Sequence, residues 1–551
     1  MPLVSSRPML SSMRRVPRLT TLSLAMLAVA CESRRLFDPE TLYTSPDPSM
    51  PWVPPSPGDG ALARRLAAAS AQGDERTDAP IAPIAPWIVP MPAASDRRAA
   101  GSVADDAAGA SATVAERGGD RDSSGAPAAA TASLADLIDF ALRNNPATRL
   151  EWERAKAAEG ELGVVESRYF PTLNAIGFGG LDQQGLASTE GREIIRGPIV
   201  GGALELNWVL LDFGRRDAQS AAAASALVAA NFSFNRTLQT VVFEVQQAYF
   251  DLDSRIALQV AAEQDLDTAA TQAEAVEERL NAGLATMPDH LQAQQRLTKA
   301  RFDLEAARSD AITGRAALAR AVGLSAETWI EIERLGDLPI PDGFESGVDL
   351  MIEEALSSRP DVQARVARVR EAAQRVREAE AAFAPIVSLS GAVGGADQDY
   401  RVTNQPGAPF PPLDRRYDAS MPSYFVGLRA SWLLFDGFSR EAALRQALAE
   451  RRAAAAALDA SRLDVSNEVW AAYFDLRAAR VQIEFGEALL RASQDAYDSV
   501  FEGYRMGLRT ITDLLEAESD LDSARSTLVR TRADLLSASV RLAYAMGAAT
   551  P

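Results

Sequence analysis

Two stretches of the chain, residues 200–210 and 424–434, alternate between apolar and polar positions. The apolar positions are the even-numbered ones: Val200, Leu204, Leu206, Trp208 and Leu210, then Tyr424, Val426, Leu428, Ala430, Trp432 and Leu434. The positions between them include Glu205, Asn207, Arg429 and Ser431. A period of two is typical of a β-strand with one apolar and one polar face. Each stretch predicts a strand of about ten residues, suited either to a half-buried soluble sheet or to an outer-membrane barrel.

Long helical segments follow both strands. Residues 216–282 and 440–506 are rich in Ala, Gln and Leu, and each predicts a helix of roughly 100 Å at 1.5 Å per residue. A tight turn at Gly283 or Gly507 leads into a further helix, so each pair forms a long antiparallel coiled-coil hairpin. The lengths are far greater than a compact domain needs.

A shorter helix and a weaker, Gly-rich strand precede each long strand. The helices are predicted over 147–169 and 361–384, and the strands over 172–180 and 386–394. Each helix stops at a proline, Pro171 or Pro385, which cannot continue the helical hydrogen bonds. Order is predicted to begin at Ser133, whose hydroxyl can cap a helix over 134–143.

The landmarks of the first half return in the second at a fixed spacing. Trp208 maps to Trp432 with an offset of 432 − 208 = 224, which also relates Gly283 to Gly507. Pro171 maps to Pro385 with an offset of 385 − 171 = 214, so the second copy has ten extra residues before its tryptophan. An internal duplication fixes the organisation. The predicted segments are a signal peptide (1–30), a Pro/Ala-rich extended or disordered segment (31–132), a first repeat (133–323), a linker (324–346) and a second repeat (347–548).

The N-terminus has the composition of an export signal. Basic residues up to Arg18 precede a short apolar stretch, 19–30, that is too short to span a membrane. Cleavage before Cys31, the only cysteine, would produce a lipidated N-terminus. An ordinary cleavage site after Ala30 remains the alternative, because Ala28 stands where lipoprotein signals usually have Leu.

Composition excludes several function classes. With one Cys and one His, the chain has no disulfide framework, no Cys/His zinc site and no Ser-His-Asp system. A net charge of −19 argues against a nucleic-acid partner. We therefore expect no enzyme activity, no metal and no cofactor.

Four strands cannot close a membrane barrel, and an open edge in lipid would leave backbone groups without partners. If these strands span a membrane, several chains must complete one barrel as a cyclic oligomer.

The duplicated strand-hairpin and long-helix unit resembles the outer-membrane efflux protein family typified by TolC. The similarity covers residues 133–548 and is sharpest in the segment from Gly503 to Ala517, whose counterpart is the segment from Leu280 to Asp289. The resemblance implies an α+β membrane protein. Its fold is a trimeric, twelve-stranded β-barrel with four strands per protomer, continuous with a long α-helical periplasmic barrel.

The resemblance also implies roles for residues at the two hairpin turns. Tyr504 and Arg509 would close the tunnel entrance by bonds to the first hairpin around Asp289, with Pro288 replacing the usual threonine partner. Asp513 and Glu516 would form a ring of carboxylates around the three-fold axis. Contact with a periplasmic adaptor is expected at the turn residues Gly283, Leu284, Thr286, Gly507, Leu508 and Thr510.

The sequence is thus interpreted as a homotrimeric exit duct in the outer membrane that extends into the periplasm. It would passively conduct substrate from an inner-membrane pump and its adaptor, for efflux or type I secretion, with selectivity left mainly to the pump. The alternative is a lipid-anchored, periplasm-spanning coiled-coil scaffold without transport activity.

Overall fold

The computed structural model describes residues 44–53, 131–188, 191–334, 347–404 and 414–548. The first repeat contains α1 (Leu134–Asn144), α2 (Pro146–Glu166), β1 (Thr172–Ser188), β2 (Gly191–Leu211), α3 (Arg215–Asn281) and α4 (Met287–Val322). The second has the same order: α5 (Val348–Ser358), α6 (Pro360–Ala381), β3 (Ile386–Asn404), β4 (Asp414–Ser431), α7 (Ser439–Arg505) and α8 (Ile511–Met546). The internal duplication is therefore a duplication of structure. Cys31 lies outside the described residues.

The helix boundaries follow local chemistry. The Ser133 hydroxyl accepts a hydrogen bond from the Asp136 N–H and starts α1, which confirms the predicted cap. The two long helices have 67 residues each and begin and end within one residue of the predicted positions. Both α4 and α8 end at a glycine with a left-handed backbone, Gly323 (φ +90°) and Gly547 (φ +76°).

The four strands form one antiparallel sheet in the order β1-β2-β3-β4. They have 17, 21, 19 and 18 residues, so the predicted length of about ten was wrong. The extra length lies at the ends farthest from the helices, where cross-strand pairs such as Arg401–Asp414 replace the alternating pattern. The end of the last strand was also wrong, because β4 stops at Ser431 and Trp432 follows it.

The sheet has two chemically different faces near the helices. Residues paired across neighbouring strands point to the same side. One face carries large apolar side chains that are exposed in the protomer: Leu173, Leu204, Val393, Tyr424, Val426 and Leu428. The opposite face carries Glu205, Asn207 and Arg429 together with the exposed aromatic side chains of Phe178 and Phe425. The charged side chains lie on one face, as the alternation predicted, but that face is not wholly polar.

The helices pack side by side in a layer, in which the inner helices have neighbours on both sides and the outer helices on one side only. α3 packs against α2, α4, α6 and α8, while α7 packs against α6 and α8. The layer therefore has α7 at one edge and α2 and α4 at the other. Tyr249, Leu252, Leu318 and Val322 fill one core between α3 and α4, and a corresponding core under α7 contains Val469 and Leu542.

A short piece of the N-terminal segment, residues 44–53, packs on this layer. Trp52 is buried among Leu142, Phe234 and Leu238, and its ring meets Phe232 edge to face at 5.3 Å. The Trp52 N–H donates to Asn235 Oδ1 at 2.7 Å, and Asn235 Nδ2 donates to the Trp52 carbonyl at 2.7 Å. The Asn235 amide thus holds the backbone of this segment much as a neighbouring strand would.

Candidate functional site at the hairpin turns and strand-helix junctions

The two hairpin turns have the same local structure. Gly283 and Gly507 both have φ +75°, a left-handed conformation that favours glycine. The next residue closes each helix, with the Leu284 N–H donating to the Arg279 carbonyl at 2.7 Å and the Leu508 N–H to the Gly503 carbonyl at 2.8 Å. Each turn is therefore a rigid, capped reversal rather than a loose loop.

Thr286 and Thr510 begin the returning helices by capping boxes. The Thr286 N–H donates to Asp289 Oδ2 at 2.8 Å, and the Thr510 N–H donates to Asp513 Oδ2 at 2.9 Å. The Thr286 hydroxyl and backbone bonds lower the pKa of Asp289, and the Thr510 backbone and hydroxyl bonds lower the pKa of Asp513. Both carboxylates are held ionised at the turns.

Tyr504 contacts the first hairpin through Arg279. The Arg279 guanidinium lies 4.9 Å from the centre of the Tyr504 ring, so α3 and α7 are joined by a cation–π contact. Among the described residues of one protomer, no hydrogen bond joins the Tyr504 hydroxyl to Asp289. Arg279 is not among the residues predicted from the sequence, because its partner lies 225 residues away (504 − 279).

Arg509 lies across the end of α7. A Cβ atom on Gly503 would come within 2.8 Å of Arg509 Cγ, so the glycine leaves the space that this side chain occupies. The positive charge of Arg509 also contributes to the lowered pKa of Asp513. Arg509 itself is exposed, with its charged end at the turn.

Asp513 and Glu516 lie three residues apart in the first turns of α8, and Glu516 is exposed. Asp520, also exposed, follows four residues after Glu516 and continues this acidic face. Asp513 and Glu516 were predicted from the sequence and Asp520 was not, although its spacing of four residues from Glu516 is visible there.

The proposed adaptor-contact residues divide into two kinds. Leu284 and Leu508 are 71% and 77% exposed, so both side chains face solvent in the protomer. The glycines and threonines have structural roles at these positions, as turn and cap residues. The exposed apolar surface of the turns consists of these leucines together with Met287 in the first turn and Met506 in the second, which are 56% and 70% exposed.

The two turns are packed against each other by a small core that joins the hairpins. Ala273, Val276 and Ala293 of the first hairpin contact Ile511 and Leu514 of the second. Thr512 Oγ1 also donates to Gln292 Oε1 at 3.1 Å. Movement of one hairpin away from the other must break this core.

A second repeated site lies where the strands meet the long helices. Trp208 Nε1 donates to the Tyr169 carbonyl at 2.8 Å, and Trp432 Nε1 donates to the Phe383 carbonyl at 3.0 Å. Four residues after each tryptophan, an aspartate bonds the arginine at the second position of the long helix. The two pairs are Arg216 with Asp212 (Nε to Oδ2, 2.8 Å) and Arg440 with Asp436 (2.9 Å).

These junctions give a structural role to the spacing of four residues between each tryptophan and its aspartate, which is the same in both repeats. Each aspartate also accepts the backbone N–H of its arginine partner, at 2.9 Å for Asp212 and 3.1 Å for Asp436. The side chains therefore fix the angle at which the sheet meets the helices. Rigid junctions of this kind keep the strands and helical hairpins in register.

Within the ranges that the structure describes, no helix contains an apolar stretch able to cross a membrane. The same residues contain no group of three or more His, Cys, Asp or Glu side chains arranged to hold a metal ion.

Comparison with known proteins decides the family. The model of the family described as outer membrane efflux protein matches residues 137–324 and 351–548, one stretch in each repeat and well over half of the chain. The chain belongs to the outer membrane efflux protein family. Protein CyaE of Bordetella pertussis is 32% identical over 419 residues, which are 75% of this chain and 84% of CyaE. Outer membrane efflux protein BepC of Brucella suis is 25% identical over 353 residues, 63% of this chain and 72% of BepC.

Solved structures show the same fold. The CmeC outer membrane channel of Campylobacter jejuni superposes with a TM-score of 0.64 at 18% identity, covering 76% of this chain and 86% of CmeC. The predicted fold class, a duplicated unit of sheet and long helices belonging to a β-barrel and a helical barrel, is confirmed. As a member of the outer membrane efflux protein family, the chain is an outer-membrane exit duct for efflux or secretion. The family consists of channel proteins rather than enzymes, and the assignment favours the duct over the scaffold.

Proposed function

We propose that three copies of this chain form the exit duct of a tripartite efflux or type I secretion system. An inner-membrane pump would deliver substrate through a periplasmic adaptor, and the duct would conduct it passively across the outer membrane. The observation that supports this proposal is that the sheet and the helical layer both have two unpaired edges. In each of them, one edge comes from the first repeat and the other edge from the second repeat.

The sheet supports closure by three copies. Its free edges are β1 and β4, and its apolar face is exposed in the protomer. In lipid, the unpaired N–H and C=O groups of these edges must find partners. Pairing of β4 in one copy with β1 in the next satisfies both edges, and three copies give twelve strands, an even number as bacterial barrels have.

The helices support the same closure. The free face of α7 exposes a row of large apolar side chains: Leu463, Trp470, Phe474, Val481, Phe485 and Leu489. On the opposite edge, α2 exposes Leu150 and Val164, and α4 exposes Leu291 and Phe302. Apolar rows of this size favour burial against another helix layer. If α7 of one copy packs against α2 and α4 of the next copy, the helices close the ring in the same direction as the strands. In both layers, the second repeat of one copy then meets the first repeat of the next.

We further propose that Asp289, Tyr504, Arg509, Asp513 and Glu516 form the entrance gate. Both Thr286 bonds to Asp289 use Oδ2, so Oδ1 is the oxygen through which Asp289 can accept from Tyr504 or Arg509 of a neighbouring hairpin. Asp513 is held ionised and Glu516 is exposed, as a cation-attracting ring requires. In this arrangement Leu284 and Leu508 remain available to a periplasmic adaptor.

We also propose that Cys31 is lipidated and anchors the chain in the outer membrane. Thr44 donates to Glu159 of α2 at 3.0 Å, and 44 − 31 = 13 residues separate it from Cys31. Thirteen residues span at most about 45 Å when extended. The thirteen residues from Glu159 to the start of β1 correspond to only about 20 Å of helix. An acyl chain on Cys31 can therefore reach the membrane level of the strands.

Single-channel conductance in planar bilayers tests the gated duct. Wild-type trimers are expected to give a small, cation-selective conductance, and the double variant Tyr504→Phe, Arg509→Ala a conductance several-fold larger. Arg505→Ala is the matched control, because Arg505 lies beside these residues but pairs with Glu502 on its own helix at 3.1 Å. Folded, inserted protein that conducts in none of these forms would refute the duct. Equal conductance in wild type and the double variant would refute the gate alone.

A further inference from the structure

A group of charged side chains is enclosed between the two helical hairpins. It contains Asp265 on α3, Arg296 on α4, and Glu518 and Asp522 on α8. Arg296 binds Asp522 (Nη2 to Oδ2, 2.5 Å), and the same nitrogen lies 3.6 Å from Glu518 Oε1. At 1.5 Å per residue, these positions lie about 10–25 Å along the helices from the turns. The group therefore lies next to the small core that joins the two turns, on the side of that core away from the turns.

Glu518 is the member of the group that is most buried and least hydrogen-bonded. Its side chain is only 4% exposed, and neither carboxylate oxygen has a hydrogen-bond partner among the described residues. A buried, ionised carboxylate without such partners is costly. Burial accordingly raises the pKa of Glu518, in spite of the nearby Gln272 and Arg296.

Asp265 and Asp522 meet at the contact surface between the first hairpin (α3 and α4) and the second hairpin (α7 and α8). This contact surface is called the seam below. Burial, then the hydrogen bond and the negative charge of Asp522, raise the pKa of Asp265 to about 7, although Arg296 and Arg525 oppose the shift. Two carboxyl groups can share a hydrogen bond only when one of them holds a proton. The raised pKa therefore favours a proton on Asp265 as the pH falls below about 7.

The charges that face the seam come from all four helices. α3 contributes Asp265, α4 contributes Arg296, and α8 contributes Glu518, Asp522 and Arg525. On α7, the neighbours are Tyr497, whose pKa is raised by burial and by Glu518, and Asp498. Arg525 is partly exposed and donates to Gln494 of α7, so Arg296 is the main cation inside the seam.

We propose that this carboxylate group is a proton-controlled latch that holds the two hairpins together near the entrance of the duct. With the proton present, Asp265 bonds Asp522 across the seam. When the proton is lost, three carboxylates face one enclosed arginine, and the like charges push α3 and α8 apart. Separation admits water, which returns the carboxyl groups to ordinary acidity.

The direction of the pH effect follows from proton binding. The packed seam binds a proton more tightly than the separated one, so acid favours the packed state. This advantage is fully present below the ordinary pKa of aspartate and is lost as the pH rises through about 7. The ratio of packed to separated seams changes by up to tenfold per pH unit within that window for one proton.

A distance measurement in the full-length protein tests the latch directly. Gln295 on α4 and Ser519 on α8 are exposed neighbours of the seam, so cysteines there can carry spin labels in a Cys31→Ala background. We expect the label-to-label distance distribution to move to longer distances between pH 5 and pH 8. Asp265→Asn, which keeps a hydrogen-bonding side chain without a charge, is expected to hold the short distance at both pH values.

The matched control is Asp267→Asn, two residues away on α3 and exposed, which should behave as wild type. If Asp265→Asn does not fold, Glu518→Gln serves instead, and it should reduce the separated fraction at pH 8. An unchanged wild-type distribution, or a pH shift that persists in Asp265→Asn, would overturn the latch.

The consequence for conduction rests on the proposed gate and is measured separately. Conductance of the same proteins should rise with pH in wild type and in Asp267→Asn, and remain low in Asp265→Asn. A distance change without a conductance change would support the latch and refute its control of the gate. Conductance that is absent in every form would refute the proposed function, while the distance result still decides the latch.

Discussion

The Asn235 amide is expected to hold residues 44–53 on the helical layer. It makes two hydrogen bonds of 2.7 Å to the backbone of Trp52, one as acceptor and one as donor. A hydrogen bond contributes about 1 kcal/mol net, so Asn235→Ala should weaken docking by about 2 kcal/mol. At 1.4 kcal/mol per factor of ten, the released fraction rises about 30-fold.

Cleavage after Trp52 by chymotrypsin measures this fraction, because Trp52 is buried while the segment is docked. When docking is fast compared with cleavage, the cleavage rate is proportional to the released fraction. Mass spectrometry of the fragments should therefore show cleavage at this bond about 30-fold faster in Asn235→Ala.

Asn144→Ala is the matched control, since the Asn144 amide donates to the Phe140 carbonyl of its own helix at 2.9 Å and not to the segment. Its cleavage rate should equal that of wild type. Equal rates in Asn235→Ala and wild type, with unchanged thermal unfolding, would show that burial of Trp52 alone holds the segment and that the hydrogen-bond reasoning is wrong.

Two further predictions concern the turn and the N-terminus. Gly507→Ala forces alanine into a left-handed conformation, which costs about 1–2 kcal/mol, and hydrogen exchange should show faster opening of this turn. Gly160→Ala, in the open surface of α2, is the control and should be neutral or slightly stabilising; equal exchange in both variants would contradict the turn assignment. Intact-mass analysis should find acyl chains on Cys31 and none in Cys31→Ala, and an unmodified wild-type N-terminus would exclude the anchor.

The helices could be predicted well from proline, glycine and capping residues, because helix ends depend on residues that are close together in the sequence. Helices α2 and α6 end five and four residues before Pro171 and Pro385, Gly283 and Gly507 reverse the chain, and Ser133 caps the first helix through its own neighbours. The two capping boxes are local in the same way and have the pattern Thr-x-x-Asp, although the role predicted for those threonines was contact with a partner.

The outer ends of the strands and the charged seam could not be predicted from nearby residues in the sequence. The outer parts of the strands are held by cross-strand pairs such as Arg416 with Asp399, and these have no apolar alternation to reveal them. Asp265 and Asp522 are 522 − 265 = 257 residues apart, so no spacing along the chain indicates their contact. Such contacts follow from how the two repeats pack, which depends on the whole fold.

The pairing of β2 with β3 at the centre of the sheet has a consequence for the order of folding. β2 ends at Leu211 and β3 begins at Ile386, so the central pair must wait until all of α3 to α6 has been synthesised. Contacts between such distant residues form slowly, because the intervening chain must first be brought together. The helical hairpins, whose contacts are nearer in sequence, are expected to form first and to bring the two halves of the sheet together.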